Sequence, residues 1–307
     1  MKCLLCVMAI FLSSVCYGSK RGLVIILGET RAHELTYENI EKNLIKTLGA
    51  DLALCIGVHE NYDYDNPFYR NAKYKFTYPE PLTSADFDLA CESILNNHPA
   101  LQKPLFTQEF LKIKDQYLLG GVPGVAGLLI FYRWFLLKNL IDHDLLDKYD
   151  FFIITRSDYI YQLPHPRLEL FSKDSIYIPD GEHYGGVTDR HVVLPRKFVV
   201  SYLNMLNEMV LKGTEYYKKI GIPENIEQFI KLHLIQQDVF KFVKFFPYVM
   251  YAVRPVGGRT SWSLGVYSEK HGYFIKYDSE YEESSQHKAD FEKERSSIDK
   301  FYKRRIP

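Results

Sequence analysis

Cysteine is scarce: there are 5, and Cys3, Cys6 and Cys16 lie at the very start of the chain. Without that segment only Cys55 and Cys91 remain, and two thiols make neither a disulfide framework nor a metal-binding cysteine spacing. Cys55 sits in the apolar run DLALCIGV and reads as a buried free thiol, with one bridge to Cys91 left open. His183 and His191 flank a glycine-rich loop, but neither HExxH nor any other zinc spacing occurs. There is no GxGxxG, no Walker A sequence and no GxSxG, so dinucleotide oxidoreductases, P-loop enzymes and α/β-hydrolases lack their usual marks. A one-sided charge is also missing: 38 Lys and Arg balance 38 Asp and Glu. That excludes a broad nucleic-acid footprint and leaves room only for a local basic patch. No N-x-[ST] acceptor, internal repeat or low-complexity linker is present.

What is there suits a globular chain. The 307 residues, 47% hydrophobic and 25% charged, can bury a substantial core in one large α/β domain or two small ones. Tyrosine is frequent, at 24 residues. Most of these rings read as core, and some could stack on sugar C–H groups while their hydroxyls hydrogen-bond. The opening MKCLLCVMAIFLSSVCYGS has a positive start, an apolar run and small residues after it. The run, about 14 residues, is short for a bilayer span and right for a signal-peptide core, with an uncleaved anchor as the alternative. Lys20 and Arg21 behind it disfavour an anchor that leaves the chain outside. The expected setting is a secretory lumen, a periplasm or the exterior, with membrane attachment second.

The division expected is 1–19 as signal or anchor, 20–275 as one catalytic domain, and 276–307 as a charged tail, exposed as a helix or disordered. LVIIL at 23–27 is a continuous apolar run, as a strand covered on both faces needs. Residues 39–48 carry Ile40, Leu44, Ile45 and Leu48 at helical spacing and end at Gly49. With DLALCIGV as a second strand this is a βαβ unit and implies a parallel sheet. Residues 59–85 are aromatic, polar and Pro-containing, and read as a long loop. Residues 86–115 are weakly helical, GGVPG at 120–124 is a breaker, and 125–141 is a helix apolar nearly all round. A membrane span is the alternative there, disfavoured by Arg133, Trp134 and Lys138. Strands follow at 151–155, within SIYIPDGEHYGGVTDRHVVLP and within FPYVMYAVRP, with helices over 198–211 and 226–245.

Ligands of open parallel sheets bind outside the carboxyl ends of the strands. Three polar clusters sit at such ends: Gly28-Glu29-Thr30-Arg31, Arg156-Ser157-Asp158, and Asp180-Gly181-Glu182 leading into Gly185-Gly186-Val187-Thr188-Asp189-Arg190. Asp158 is the first choice to hold Mn²⁺ or Mg²⁺, hard cations that need few protein carboxylates when a diphosphate supplies other oxygens. The plainer reading is a turn cap or an ion pair with Arg156.

The stretch YDFFIITRSDYIY, followed by PDGEHYGGVTDRHVV, resembles the core of GT-A-type glycosyltransferases. It is most similar to WavE-like lipopolysaccharide-synthesis proteins and transferases of large DNA viruses, over roughly residues 22–260. The resemblance implies an α/β, GT-A-like (Rossmann-like) fold with a mixed, mostly parallel sheet flanked by helices. It implies a nucleotide-sugar donor and a glycan, lipid-linked or protein acceptor. In that class an acidic motif, commonly Asp-x-Asp, ends a central strand and holds a metal on the donor diphosphate. Here Arg156 replaces the first acid and Asp158 keeps the last, so Arg156 could itself neutralise phosphate.

By the same resemblance the turn Gly28, Glu29, Thr30 and Arg31 lies against the nucleotide, and Arg254 and Arg259 could reach the diphosphate. Asp189 is the expected proton acceptor or acceptor-orienting residue, Glu182 its rival, and Glu224 and Glu227 weaker rivals at a helix start. Tyr184 and Trp262 could stack on sugar rings. The alternatives are a non-catalytic nucleotide- or glycan-binding protein that keeps the fold, and another phosphate-handling enzyme such as a hydrolase.

Overall fold

The structure is a computed structural model, and it describes residues 20–97, 126–220, 225–258 and 263–307. The signal or anchor segment, the GGVPG breaker, Glu224, Arg259 and Trp262 lie outside the described residues.

The first βαβ unit forms as its sequence dictates. In β1 (Gly22–Gly28) Leu23, Val24, Ile25 and Ile26 are wholly buried. Alternate residues face opposite ways, so Leu23 and Ile25 enter one core while Val24 and Ile26 enter another on the other side of the sheet. The helix His33–Ile40 continues through a π-helical segment, Glu41–Ile45, and a last turn, Lys46–Leu48. Ile40, Leu44 and Leu48 are its buried stripe, and Gly49 at φ 56° closes it in the left-handed region. The chain then returns as β2 (Asp51–Val58), parallel to β1.

The stretch expected as a long loop holds two elements. Asn66 caps the short helix Pro67–Asn71 by accepting the Tyr69 N–H at 3.0 Å. β3 (Tyr74–Pro79) then adds parallel to β2 at the sheet edge. Its period-2 aromatics, Tyr74, Phe76 and Tyr78, pack on the core beneath and were hidden in sequence by the polar composition around them.

Next come β4 (Phe151–Thr155), β5 (Tyr159–Tyr161), β6 (Ile176–Pro179), β7 (Val192–Pro195) and β8 (Val243–Phe246). The main sheet has the order β3-β2-β1-β4-β7-β6-β8 and only β7 runs against the rest. The mixed, mostly parallel α/β architecture expected from the sequence is present. β5 leaves it for a smaller sheet, ordered β10-β11-β9-β5, with β9 at Met250–Arg254, β10 at Val266–Ser268 and β11 at Tyr273–Ile275.

Helices cover both faces. Ala126–Asp142 lies against β1 and β2, with Ile130, Phe131, Leu136 and Leu140 buried. Among the described residues no helix is long and apolar enough to cross a membrane. The helix expected over 198–211 is two, Arg196–Leu203 and Met205–Ile220, the second kinked at Gly213. That expected over 226–245 stops as Ile226–Gln236: Asp238 takes a positive φ of 53°, and the chain re-enters the sheet as β8. The charged C-terminal stretch is neither loose nor wholly exposed. It forms the helices Asp278–Glu294 and Ile298–Lys303, burying Glu280, Ser284, Phe301 and Tyr302. Cys55 and Cys91 are both buried, and no disulfide joins them.

The reversal of β7 sets the site. Its first residues meet the last residues of β4, with Ile154 opposite Val192. The entry to β7 therefore lies on the same rim as the exits of β1, β4 and β6. His191 marks the join: its Nδ1 is 3.0 Å from the Thr155 hydroxyl, and its Nε2 is 3.1 Å from His165 Nε2. Burial lowers both imidazoles, His165 to about 4, so the pair is neutral and structural.

Candidate active site on the strand rim

The turn after β1 is tied down from below. Gly28, at φ 102°, occupies the left-handed region that favours glycine. The Ser157 hydroxyl lies 2.8 Å from the Glu29 carbonyl and 3.0 Å from the Arg31 carbonyl, clamping this turn to the β4–β5 turn. Thr36 donates its hydroxyl to the Ser157 carbonyl at 2.5 Å. Glu29 and Arg31 pair with each other at 2.7 Å. The Thr30 hydroxyl is buried on the Tyr62 hydroxyl at 2.8 Å, so its role is to hold the turn.

Asp158 is fully buried, and both its oxygens are engaged. Arg156 grips it with a fork, Nε to Oδ1 at 2.8 Å and Nη2 to Oδ2 at 2.6 Å. Arg254 Nη1 donates to the same Oδ2 from the other side. Strand pairing explains this meeting. β9 lies antiparallel to β5, with Tyr159 opposite Ala252, and Val253 N–H donates to the Asp158 carbonyl at 2.8 Å. Burial opposes the charge on Asp158, but Arg156 and Arg254 outweigh it and hold the carboxyl well below the usual range.

A fourth cation joins them. Lys276, just after β11, is 8% exposed, with its ammonium 5.2 Å from the Tyr277 ring. Burial, then the charges of Arg254 and Arg156, pull it down to about 7. Four cations, Arg31, Arg156, Arg254 and Lys276, thus share the neighbourhood of two carboxylates, Glu29 and Asp158. Arg254 is 1% exposed, and its Nε and Nη2 find no hydrogen-bond partner among the described residues. Buried N–H groups of that kind are costly unless a ligand accepts from them.

The donor set does not suit the Mn²⁺ or Mg²⁺ expected at Asp158. A hard dication needs free carboxylate oxygens, whereas those of Asp158 are held by guanidinium groups and the local balance is already positive. Among the described residues no group of three or more His, Cys, Asp or Glu is placed to hold a metal ion.

The acidic half of the rim is built around Arg190. Gly186 lies so close to the start of helix Ile226–Gln236 that a Cβ there would fall 1.9 Å from the Glu227 carbonyl oxygen. That carbonyl accepts the Val187 N–H at 3.1 Å. Asp189 follows, its own carbonyl held by Arg133 Nη2 at 3.0 Å and its carboxylate 3.9 Å from Arg190 Nε. Glu182, at φ 53°, accepts from the Ser279 hydroxyl and lies 4.0 Å from Arg190 Nη1. Arg190 itself pairs with Glu280 at 2.6 Å and covers the Tyr277 ring at 4.2 Å and the Tyr184 ring at 5.5 Å. Glu227 is buried beside this loop; burial first, then the charge of Asp189, pushes its carboxyl up to about 7.

Of the residues expected from sequence, Gly28, Glu29, Arg31, Arg156, Asp158 and Arg254 come together in the cationic half, and Glu182 and Asp189 in the acidic half. Lys276 and Tyr277, adjacent in sequence, join the two. Sequence reasoning missed Lys276 and Glu280, and it named Arg190 only as the end of the glycine-rich cluster. Nothing local marks Lys276 or Glu280, because their position depends on β9 and β11 pairing and on the final helix docking.

No protein-family model matches the chain, and no curated protein matches it. Among solved structures it is similar to mouse xyloside xylosyltransferase 1 in its apo form, with 8% identity and a TM-score of 0.36 over 74% of this chain and 84% of that one.

Proposed function

We propose that this chain is a glycosyltransferase that moves a sugar from a nucleotide-sugar donor to a hydroxyl group of a glycan or other acceptor. The observation that carries the reading is one rim with two unlike halves: a partly buried excess of cations and, across Lys276 and Tyr277, the half-buried loop acids Glu182 and Asp189 beside the buried Glu227. Glycosyl transfer asks for those two things. The departing diphosphate needs fixed positive charge, and the acceptor hydroxyl needs a carboxylate to take its proton.

In this reading Arg31, Arg156, Arg254 and Lys276 face the diphosphate, and Asp158 positions two of the guanidinium groups. Asp189 takes the proton, with Glu227 beside it. A carboxyl near 7, as at Glu227, suits proton exchange at neutral pH. Glu182 is the second choice, because its carboxylate already accepts from the Ser279 hydroxyl. The narrower likeness to WavE-like and viral transferases rests on the RSDY and GGVTDRH motifs alone.

The doubly paired Asp158 also favours a second reading, a binding protein that keeps the fold without turnover. A screen of UDP- and GDP-sugars on the full chain, with and without Mn²⁺, separates the two. Release of nucleoside diphosphate from one donor supports transfer. Stabilisation by a nucleoside diphosphate with no release from any donor supports binding alone.

A further inference from the structure

We propose that the Arg254 cluster is a pyrophosphate-binding site that works without a divalent cation. This inference rests on the transferase reading and names how that site holds the donor. Arg254 is the centre of the argument. It is 1% exposed and spends both N–H groups of Nη1, one on Asp158 and one on the Val253 carbonyl. Its Nε and Nη2 are buried and point at no acceptor among the described residues. A guanidinium with free, desolvated donors matches a phosphate oxygen by shape and charge, and it is already held in place by its partner carboxylate.

The surroundings fit the same ligand. Arg156, half-buried on the other side of Asp158, and Arg31, on the turn clamped by Ser157, carry positive charge that Asp158 and Glu29 only partly balance. Lys276 makes a cation–π contact and no ion pair among the described residues, so its ammonium is available to a second phosphate. A dianionic or trianionic diphosphate would neutralise the excess. A divalent cation would instead add charge to a positive site whose one buried carboxylate is already spent. Where a metal-dependent site presents carboxylates to an ion that in turn holds phosphate, this one presents its guanidinium groups to the phosphate directly.

The test is titration calorimetry of the full chain with inorganic pyrophosphate, once in EDTA and once with excess Mn²⁺. Saturable binding in EDTA is expected, not strengthened by Mn²⁺. Lys276→Met and Arg31→Met, which break no buried ion pair, should each weaken it about tenfold. Arg254→Met should abolish it, with circular dichroism reporting whether that variant still folds. Binding only in Mn²⁺, or binding in EDTA indifferent to Lys276→Met and Arg31→Met, would overturn the proposal while leaving the transferase reading intact. Binding in EDTA as expected, with no transfer from any donor, would uphold this site and sink the transferase reading.

Discussion

Lys276 is the residue with the most to say about how the site works. Arg254, Arg156 and Arg31 face it as like charges, Asp158 as the opposing one, and the Tyr277 ring lies beneath its ammonium. Burial and those neighbours bring it down to about 7, so it is protonated below neutrality and loses its charge as pH rises through that point. Its contribution to anion affinity is therefore full on the acid side and fades on the alkaline side. The affinity gap between the natural chain and Lys276→Met should be widest near pH 6 and narrow by pH 8.5. Comparing the two proteins cancels the titration of the ligand itself. A gap that stays constant over that range would show that Lys276 does not titrate there. At this scale the sequence was partly legible. Arg156, Asp158 and Arg254 stand out as charges beside apolar strands, but that they form one triad follows only from β5 pairing with β9.

The element that completes the site is the helix Asp278–Glu294. Its Glu280 is fully buried and takes three donors: Arg190 at 2.6 Å, the Tyr248 hydroxyl at 2.8 Å and the Ala252 N–H at 2.8 Å. Arg190 in turn holds its place near Glu182 and Asp189. Removing the carboxylate leaves a buried guanidinium without its partner, which costs about 3–5 kcal/mol. Glu280→Ala should lower the thermal midpoint sharply, and Glu280→Gln, which keeps the shape and an acceptor, should lower it less. Equal and small effects would mean that water reaches Arg190. Elements with an unbroken apolar run, β1, β2 and β4, were legible because a strand covered on both faces has no polar alternative. β3 and β8 were not. They are short, half-buried runs next to helix-like or loop-like composition, and tertiary pairing decides their strand character.

At the scale of the whole molecule, the two cores on either side of the main sheet share that sheet, and the C-terminal helices close one of them. Phe301 and Tyr302 are wholly buried there, and Tyr302 donates its hydroxyl to the Pro164 carbonyl at 2.7 Å. A chain ended after Tyr277 should fail to fold cooperatively, since it exposes that core and strands Arg190. Circular dichroism melting of the shortened chain decides it, and a native-like melt would restore the reading of an exposed or disordered tail. Composition made the segment look solvated, because its buried residues are few and set among charged ones.

Release of nucleoside diphosphate from UDP- and GDP-sugars by the full chain, compared with its Asp189→Asn variant, tests the central claim most directly. One donor should be turned over in the presence of a hydroxyl acceptor. Asp189→Asn should cut that rate by about 10²- to 10⁴-fold, the usual contribution of a positioned acid or base, without changing the thermal midpoint by more than a degree or two. No release from any donor, or release undiminished in Asp189→Asn, would contradict the account.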